Sequence, residues 1–179
     1  MKSESEEKPI EASSVTEVTQ ESEFMDLDSV WLNDAIKFST TQEEVLEKLG
    51  EPDSVTTPNF ECGGYVAGEE PWGDTVNIWH YQGTQIVTFK DQANLMIIRL
   101  RGWDCTLHHP RIILSGFTST SELAEIFPNS VEQAYEWKNP TDGRTYTMVR
   151  IDPKPISDDK WMFKFYNDEL YEVEYWIGC

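Results

Sequence analysis

The chain has 179 residues, of which 39% are hydrophobic and 12% aromatic, so it can bury a sizeable core and is not disordered as a whole. Its 33 acidic and 14 basic side chains give a formal net charge of −19. This charge repels phosphates, which argues against nucleic acid or an anionic membrane as partner, and it favours a basic protein partner.

The first 30 residues are rich in Glu, Ser and Thr and contain a single aromatic residue, Phe24. Little apolar surface is available there to offset the entropy lost on ordering. We therefore expect residues 1–30 to form a disordered acidic tail, with ordered structure beginning near Trp31. The chain contains no apolar run long enough to span a bilayer, so no transmembrane segment is expected.

A helix is predicted directly after the first short ordered segment. Thr41 precedes Glu44 at the spacing of a capping box, and Val45 and Leu49 lie on one apolar stripe. Gly50 is typical of a helix end. Three strands are predicted next, and they are Val76–Tyr81, Thr84–Phe89 and Leu95–Leu100.

The connections in this half are also predicted. Gln82 and Gly83 favour a two-residue hairpin turn, and Lys90 to Asn94 indicates a longer one. The stretch 59–75 is expected to hold a further strand and a Gly-rich loop.

The second half follows the same order. Ser119 precedes Glu122 at capping-box spacing, Leu123 and Phe127 lie on the apolar stripe, and Pro128 is expected to end the helix. A turn is predicted over Asn139–Gly143. The predicted strands are Val131–Trp137, Thr145–Ile151, Trp161–Tyr166 and Leu170–Trp176.

Two units of one helix followed by four strands indicate an internal duplication, with repeats at 31–104 and 105–179. The alternative is that any two α+β halves of similar length look alike.

The first helix and its strands carry a family resemblance. The run from Thr41 to Pro52, followed by Trp79-His80-Tyr81 and Phe89-Lys90-Asp91, resembles small exported lipoproteins of the SmpA/OmlA type. A tandem pair of such units resembles the β-lactamase inhibitor protein. The resemblance implies an α+β fold of two helix-plus-antiparallel-sheet repeats, with the helices packed on one face of the sheet.

The resemblance also bears on function and location. It implies a protein that acts by binding another protein, as an inhibitor, an immunity protein or an envelope lipoprotein. The Ser/Glu-rich leader is typical of lipoproteins, which predicts an extracytoplasmic location after removal of a signal sequence, with a cytoplasmic location as the alternative. The loop that the inhibitor uses is reduced here to Gln82-Gly83, so β-lactamase itself does not follow as the target.

The cysteines and histidines point to no chemistry. Cys62, whose surroundings resemble the inhibitor's first repeat, either pairs with Cys105 or remains a thiol, and Cys179 is expected to be unpaired. His108 and His109 are adjacent, so on an extended segment their side chains point apart. No catalytic residue, metal or cofactor is expected. The alternatives are a small enzyme with a cleft near Trp72 or His108, or a purely structural lipoprotein.

Strand alternation predicts an open sheet face that carries aromatic, Met and Arg side chains together, which are enriched at interface cores. The acidic loop 69–74 adds a Trp between Pro and Gly. The predicted partner-binding residues are Glu69, Glu70, Trp72, Asp74, Tyr146, Met148, Arg150 and Trp176.

Overall fold

A computed structural model describes residues 23–58 and 75–178, and the structural statements below refer to these residues. A 3-10 turn at Leu27–Ser29 opens the fold. The elements of the first half are β1 (Trp31–Leu32), β2 (Ile36–Lys37), β3 (Ser39–Thr41), α1 (Gln42–Leu49), β4 (Ser54–Thr56), β5 (Val76–Tyr81), β6 (Thr84–Phe89) and β7 (Gln92–Arg99).

The second half begins with a short hairpin and continues through two helices into four strands. Its elements are β8 (Leu107–His109), β9 (Ile112–Leu114), α2 (Thr120–Ala124), α3 (Pro128–Glu132), β10 (Tyr135–Lys138), β11 (Thr145–Ile151), β12 (Lys160–Tyr166) and β13 (Glu169–Trp176).

Most of the strands form one large antiparallel sheet. Its order is β10-β11-β12-β13-β7-β6-β5-β4, with β3 pairing on the β7 strand as well. The two halves meet where β7 pairs with β13, at Ile98 opposite Val173. A smaller sheet has the order β2-β1-β8-β9. The α+β, mostly antiparallel class is therefore confirmed.

Each half contributes a run of four strands in chain order, β4–β7 and β10–β13, and the two runs are joined through their last strands. An internal duplication predicts this arrangement. The duplication, its repeat boundaries and the packing of helices within each repeat stay predictions.

The main core lies against one face of the large sheet. Side chains on that face pack against α1, the smaller sheet, α2 and the segment 25–30, because every second strand residue points inward. Its largest fully buried members include Trp161, Phe38, Phe127, Phe163 and Phe165.

Local signals in the sequence identified several elements correctly. The Thr41 hydroxyl accepts a hydrogen bond from the Glu44 amide at the start of α1. Ser119 and Glu122 form the complete capping box of α2. Gly83 lies in the two-residue β5–β6 turn with φ of 81°.

Other local predictions were wrong. Pro128 does not simply end a helix: it stands at the first position of α3, where the missing N–H costs nothing, and Val131 is helical rather than extended. The β6–β7 connection is the tight turn Lys90-Asp91, since Phe89 already pairs with Gln92.

The ordered part also begins before Trp31. Met25 and Val30 are fully buried, and the Trp161 indole donates to the Met25 carbonyl at 2.7 Å. The Glu23 carboxylate accepts backbone hydrogen bonds from Asn129 and Ser130 at the start of α3. These contacts place residues 23–30, which the sequence assigned to the acidic tail, in the fold.

Candidate functional site

The outer face of β10–β13, opposite the core, carries charged side chains at its centre. Lys164 Nζ lies 2.6 Å from Glu172 and 2.8 Å from Glu174, and Arg99 lies 3.4 Å from Glu172. Burial opposes the charge on Lys164, but Glu174 and Glu172 outweigh it and raise the pKa of the amine. These two cations and two carboxylates neutralise one another at the centre of the face.

Aromatic rings form a contiguous group beside these charges. The Tyr146 ring centroid lies 5.7 Å from that of Tyr166, 5.5 Å from Tyr171 and 6.1 Å from Trp137. Their strands are neighbours in the sheet, so alternate residues meet on the same face.

Arginines lie over these rings. Arg144 and Arg101 lie 5.0 Å and 5.6 Å from the Tyr166 centroid, and Arg99 lies 5.5 Å from that of Tyr171. Arg150 lies 4.5 Å from the centroid of another ring on this face, that of Tyr135. These are four of the five arginines of the chain, and they lie on one face of a protein whose net charge is −19.

The predicted binding residues of the second half all lie on this outer face, at different depths. Tyr146 and Met148 are 2% and 3% exposed, because neighbouring side chains cover them. The Tyr146 hydroxyl donates to Asp142 at 2.6 Å. Arg150 is exposed and Trp176 is 47% exposed. Arg150 and Trp176 therefore have surface for a partner, whereas Tyr146 and Met148 support their neighbours.

The other predicted binding residues belong to one loop of the first half. Glu69, Glu70, Trp72 and Asp74 lie outside the described residues, as does Cys62. Their proposed roles, and the bridge between Cys62 and Cys105, stay predictions.

Sequence reasoning missed several residues of this face. Strand alternation places Trp137 and Tyr135 on the same side of β10, and that signal was available. It was lost because the strand was predicted to begin at Val131, inside what is α3. Arg144 lies in the turn before β11, where alternation gives no information.

A groove lies where the chain leaves β7, beside the start of β13. Its volume is about 610 Å³, and its lining includes Trp103, Phe117, Arg101 and Glu169. Phe117 is 87% exposed. The turn that presents it is held by a hydrogen bond from the Thr118 amide to the Ser115 carbonyl.

His108, His109 and Cys105 are the residues near the predicted alternative cleft that the structure describes. The His108 ring hydrogen-bonds the Thr106 hydroxyl at 2.9 Å, whereas the His109 ring packs near Phe127. The two rings therefore contact different groups. Burial, with a smaller effect of Asp104, raises the pKa of the Cys105 thiol. A raised pKa disfavours the nucleophilic thiolate. No cluster of metal-ligating side chains occurs within the described ranges.

Comparisons with family models, with curated proteins and with solved structures find no match to this chain. The resemblance to tandem lipoprotein domains therefore stays an expectation drawn from the sequence. No helix between residues 23 and 58 or between 75 and 178 is long and apolar enough to cross a membrane.

Proposed function

We propose that the protein is a non-enzymatic binding module that docks another protein on the outer face of β10–β13. The contact region is named the arginine–tyrosine surface, and it consists of Tyr135, Trp137, Arg144, Arg150 and Tyr166. One observation carries the proposal: four of the five arginines lie over tyrosine rings on this single face.

The residue types of this surface support a binding role. Tyr, Trp and Arg dominate the energetics of protein interfaces, because each buries a large area and still makes polar contacts. Trp137 is 37% exposed although it is a large apolar side chain. Its ring packs 6.1 Å from that of Tyr146, so part of its ordering cost is met before a partner arrives.

The side chains of this surface are held by contacts within the protein. Arg144 and Arg150 are stacked on rings that belong to paired strands, and Asp142 fixes the Tyr146 hydroxyl beneath them. Side chains that are already ordered lose less entropy on binding. Preorganisation of this kind suits an inhibitor or an immunity protein that must hold its target tightly.

The sequence resemblance supports the same class of function. We propose an inhibitor, an immunity protein or an envelope lipoprotein in an extracytoplasmic compartment. An enzymatic role has weaker support, because Cys105 donates to the Arg99 carbonyl at 3.3 Å and not to a base. The hydroxyls that contact an imidazole belong to Thr56 and Thr106, which are weak nucleophiles.

The experiment begins with photo-crosslinking from the surface. A photoreactive amino acid at position 137 is compared with one at position 48, which is exposed on α1. The partner captured from 137 alone is identified and purified. Its Kd is then measured for the parent protein, Trp137→Ala and Lys48→Ala.

Trp137→Ala is expected to weaken binding by about 30-fold, in line with a loss of about 2 kcal/mol at an aromatic anchor. Lys48→Ala is expected to leave the Kd unchanged, and melting curves must show that both variants are folded. Equal crosslinking from both positions, or an unchanged Kd for Trp137→Ala, contradicts the proposal.

A further inference from the structure

We propose that the arginine–tyrosine surface takes an acidic, extended protein segment, whose carboxylates bind Arg144 and Arg150. This inference rests on the proposed function and deepens it by giving the chemistry of the partner. It is opposite in sign to the basic partner that the net charge of −19 favours.

The two guanidinium groups are each held against a tyrosine ring. Arg144 lies 5.0 Å from the Tyr166 centroid, and Arg150 lies 4.5 Å from the Tyr135 centroid. Both residues are exposed. A guanidinium that is held against a ring keeps a planar set of donors, and this fork matches the two oxygens of a carboxylate.

The neighbouring cations are already paired with carboxylates of the protein. Arg101 lies 2.7 Å from Glu169, Lys160 lies 2.8 Å from Asp152, and Lys164 is paired with two glutamates. In contrast, no carboxylate of residues 23–58 or 75–178 lies within 4.0 Å of the Arg144 or Arg150 nitrogens.

Asp142 is the acidic side chain nearest in sequence to Arg144, and it is otherwise engaged. Its carboxylate accepts hydrogen bonds from the Tyr146 hydroxyl at 2.6 Å and from the Arg144 backbone amide at 2.9 Å. The hydrogen bond from Tyr146, followed by that from the Arg144 amide, lowers the pKa of Asp142. The Arg144 guanidinium hydrogen-bonds the Tyr146 hydroxyl and is attracted by Asp142, and both effects raise its pKa. Asp142 forms no ion pair with it within 4.0 Å, so the guanidinium keeps donors for an external carboxylate.

The site lies beside an unpaired strand edge. Within the described part of the chain, β10 is an end strand of the large sheet and pairs with β11 on one side only. An unpaired strand edge offers backbone donors and acceptors to an incoming extended chain. Trp137 lies on this strand and provides apolar contact beside the arginines. These features favour an extended peptide over a compact anion.

Near and distant charges act on an acidic segment in opposite directions. The whole protein repels an acidic segment at long range, whereas the two arginines attract it at contact. Salt screens interactions beyond about 10 Å at 0.1 M and affects close ion pairs less. Moderate salt should therefore speed the association of an acidic segment, whereas it should slow that of a basic one.

The test uses fluorescein-labelled peptides of about ten residues in which Thr alternates with Glu, Gln or Lys. Fluorescence anisotropy gives the affinity, and stopped-flow gives the association rate at about 20 and 150 mM NaCl. We expect the Glu peptide to bind at least about tenfold more tightly than the Gln peptide. Its association rate is expected to rise between the two salt concentrations.

A pair of variants with the same change in net charge locates the site. The double variant Arg144→Gln with Arg150→Gln is expected to bind the Glu peptide about tenfold or more less tightly. Lys37→Gln with Lys48→Gln changes exposed residues of β2 and α1 and is expected to have no effect. A single-stranded DNA of about ten nucleotides is the competitor that tests for phosphate binding.

Three results overturn the inference: equal binding of the Glu and Gln peptides, tighter binding of the Lys peptide, or preferential binding of the DNA. An unchanged affinity in the double arginine variant does so as well. If these results appear while Trp137→Ala still weakens binding of the purified partner, the inference about acidic segments fails and the proposed function stands. If Trp137→Ala also leaves the Kd of the partner unchanged, the inference and the proposed function both fail.

Discussion

The Arg150 guanidinium lies over the Tyr135 ring, 4.5 Å from its centroid, and Arg150 Nε donates to the Tyr135 hydroxyl at 3.3 Å. The two residues belong to adjacent antiparallel strands, in which Tyr135 pairs with Met148. One neighbour therefore both stacks on the guanidinium and bonds its Nε. The sheet thus orders the cation before a partner arrives, which is the feature on which the proposed binding role depends.

Lys164→Met is expected to lower the free energy of unfolding by about 2 to 3 kcal/mol, because the buried Glu172 would lose its closest cation. Chemical denaturation measures the loss. Lys160→Met is the matched control on the same strand, since its partner Asp152 is more exposed, and it should cost less than about 1 kcal/mol. Equal losses for the two variants would show that burial of Glu172 does not set the cost.

Gly83→Ala is expected to destabilise the protein more than Gly143→Ala. Both glycines have positive φ, which costs an L-residue about 1 kcal/mol or more. At Gly83 a Cβ would also lie 2.6 Å from the Trp103 indole nitrogen, whereas Gly143 has open space. Thermal unfolding compares the variants.

The same substitution should displace Trp103, whose indole forms part of the groove wall. In protein labelled with 5-fluorotryptophan, the ¹⁹F resonance that Trp103→Phe removes should shift in Gly83→Ala and stay in place in Gly143→Ala. Equal stability and unshifted resonances in the two variants would contradict the contact between Gly83 and Trp103.

The sequence predicts the elements whose signals are local. The caps of α1 and α2 are read from Thr41 and from Ser119 with Glu122, since a capping residue acts within one helical turn. Tight turns such as Gln82-Gly83 are likewise set by the residues they contain. The α+β class follows from these pieces.

Features set by distant contacts were not predictable in the same way. The hairpin of β8 and β9 is short, and it is completed by pairing of Leu107 with Leu32 of β1. Alternation placed Tyr146 and Met148 on the outer face but did not show that neighbouring side chains bury them. Their depth depends on long side chains from other strands, and no single-strand pattern contains that information.

Met25→Ala tests where the ordered part of the chain begins. The side chain is fully buried in the main core, so its removal should cost about 3 kcal/mol. Asp28→Ala, at an exposed position nearby, should change stability by less than about 0.5 kcal/mol. If denaturation shows no difference between the variants, residues 23–30 are not part of the fold.

The stability of the protein should depend on pH through His109. Burial and the charge of Arg111 lower the pKa of His109, against a smaller opposing effect of Asp26. The unfolded chain, with a histidine pKa near 6.5, then binds the proton more readily than the folded chain. The contribution of His109 to stability is present above about pH 6.5 and is lost as the pH falls below it.

Melting temperatures between pH 7.5 and about pH 3 measure this effect. His109→Gln is expected to flatten the fall in Tm that begins as the pH drops through about 6.5. The further fall in more acidic solution should remain. Burial opposes the charge on Glu23, but the backbone and side-chain hydrogen bonds from Asn129 and Ser130 together outweigh it and lower the pKa of Glu23. An unchanged slope near pH 6 in the variant would show that His109 does not titrate differently in the folded protein.

Arginine footprinting of the partner-bound protein tests the binding surface most directly. Phenylglyoxal modifies exposed guanidinium groups, and mass spectrometry gives the rate at each arginine with and without the partner. Arg111, which lies over Phe127 of the main core, is the internal control. The binding role predicts that the partner slows modification of Arg144 and Arg150 at least about tenfold and leaves Arg111 unchanged. Undiminished modification of Arg144 and Arg150 in a saturated complex would contradict it.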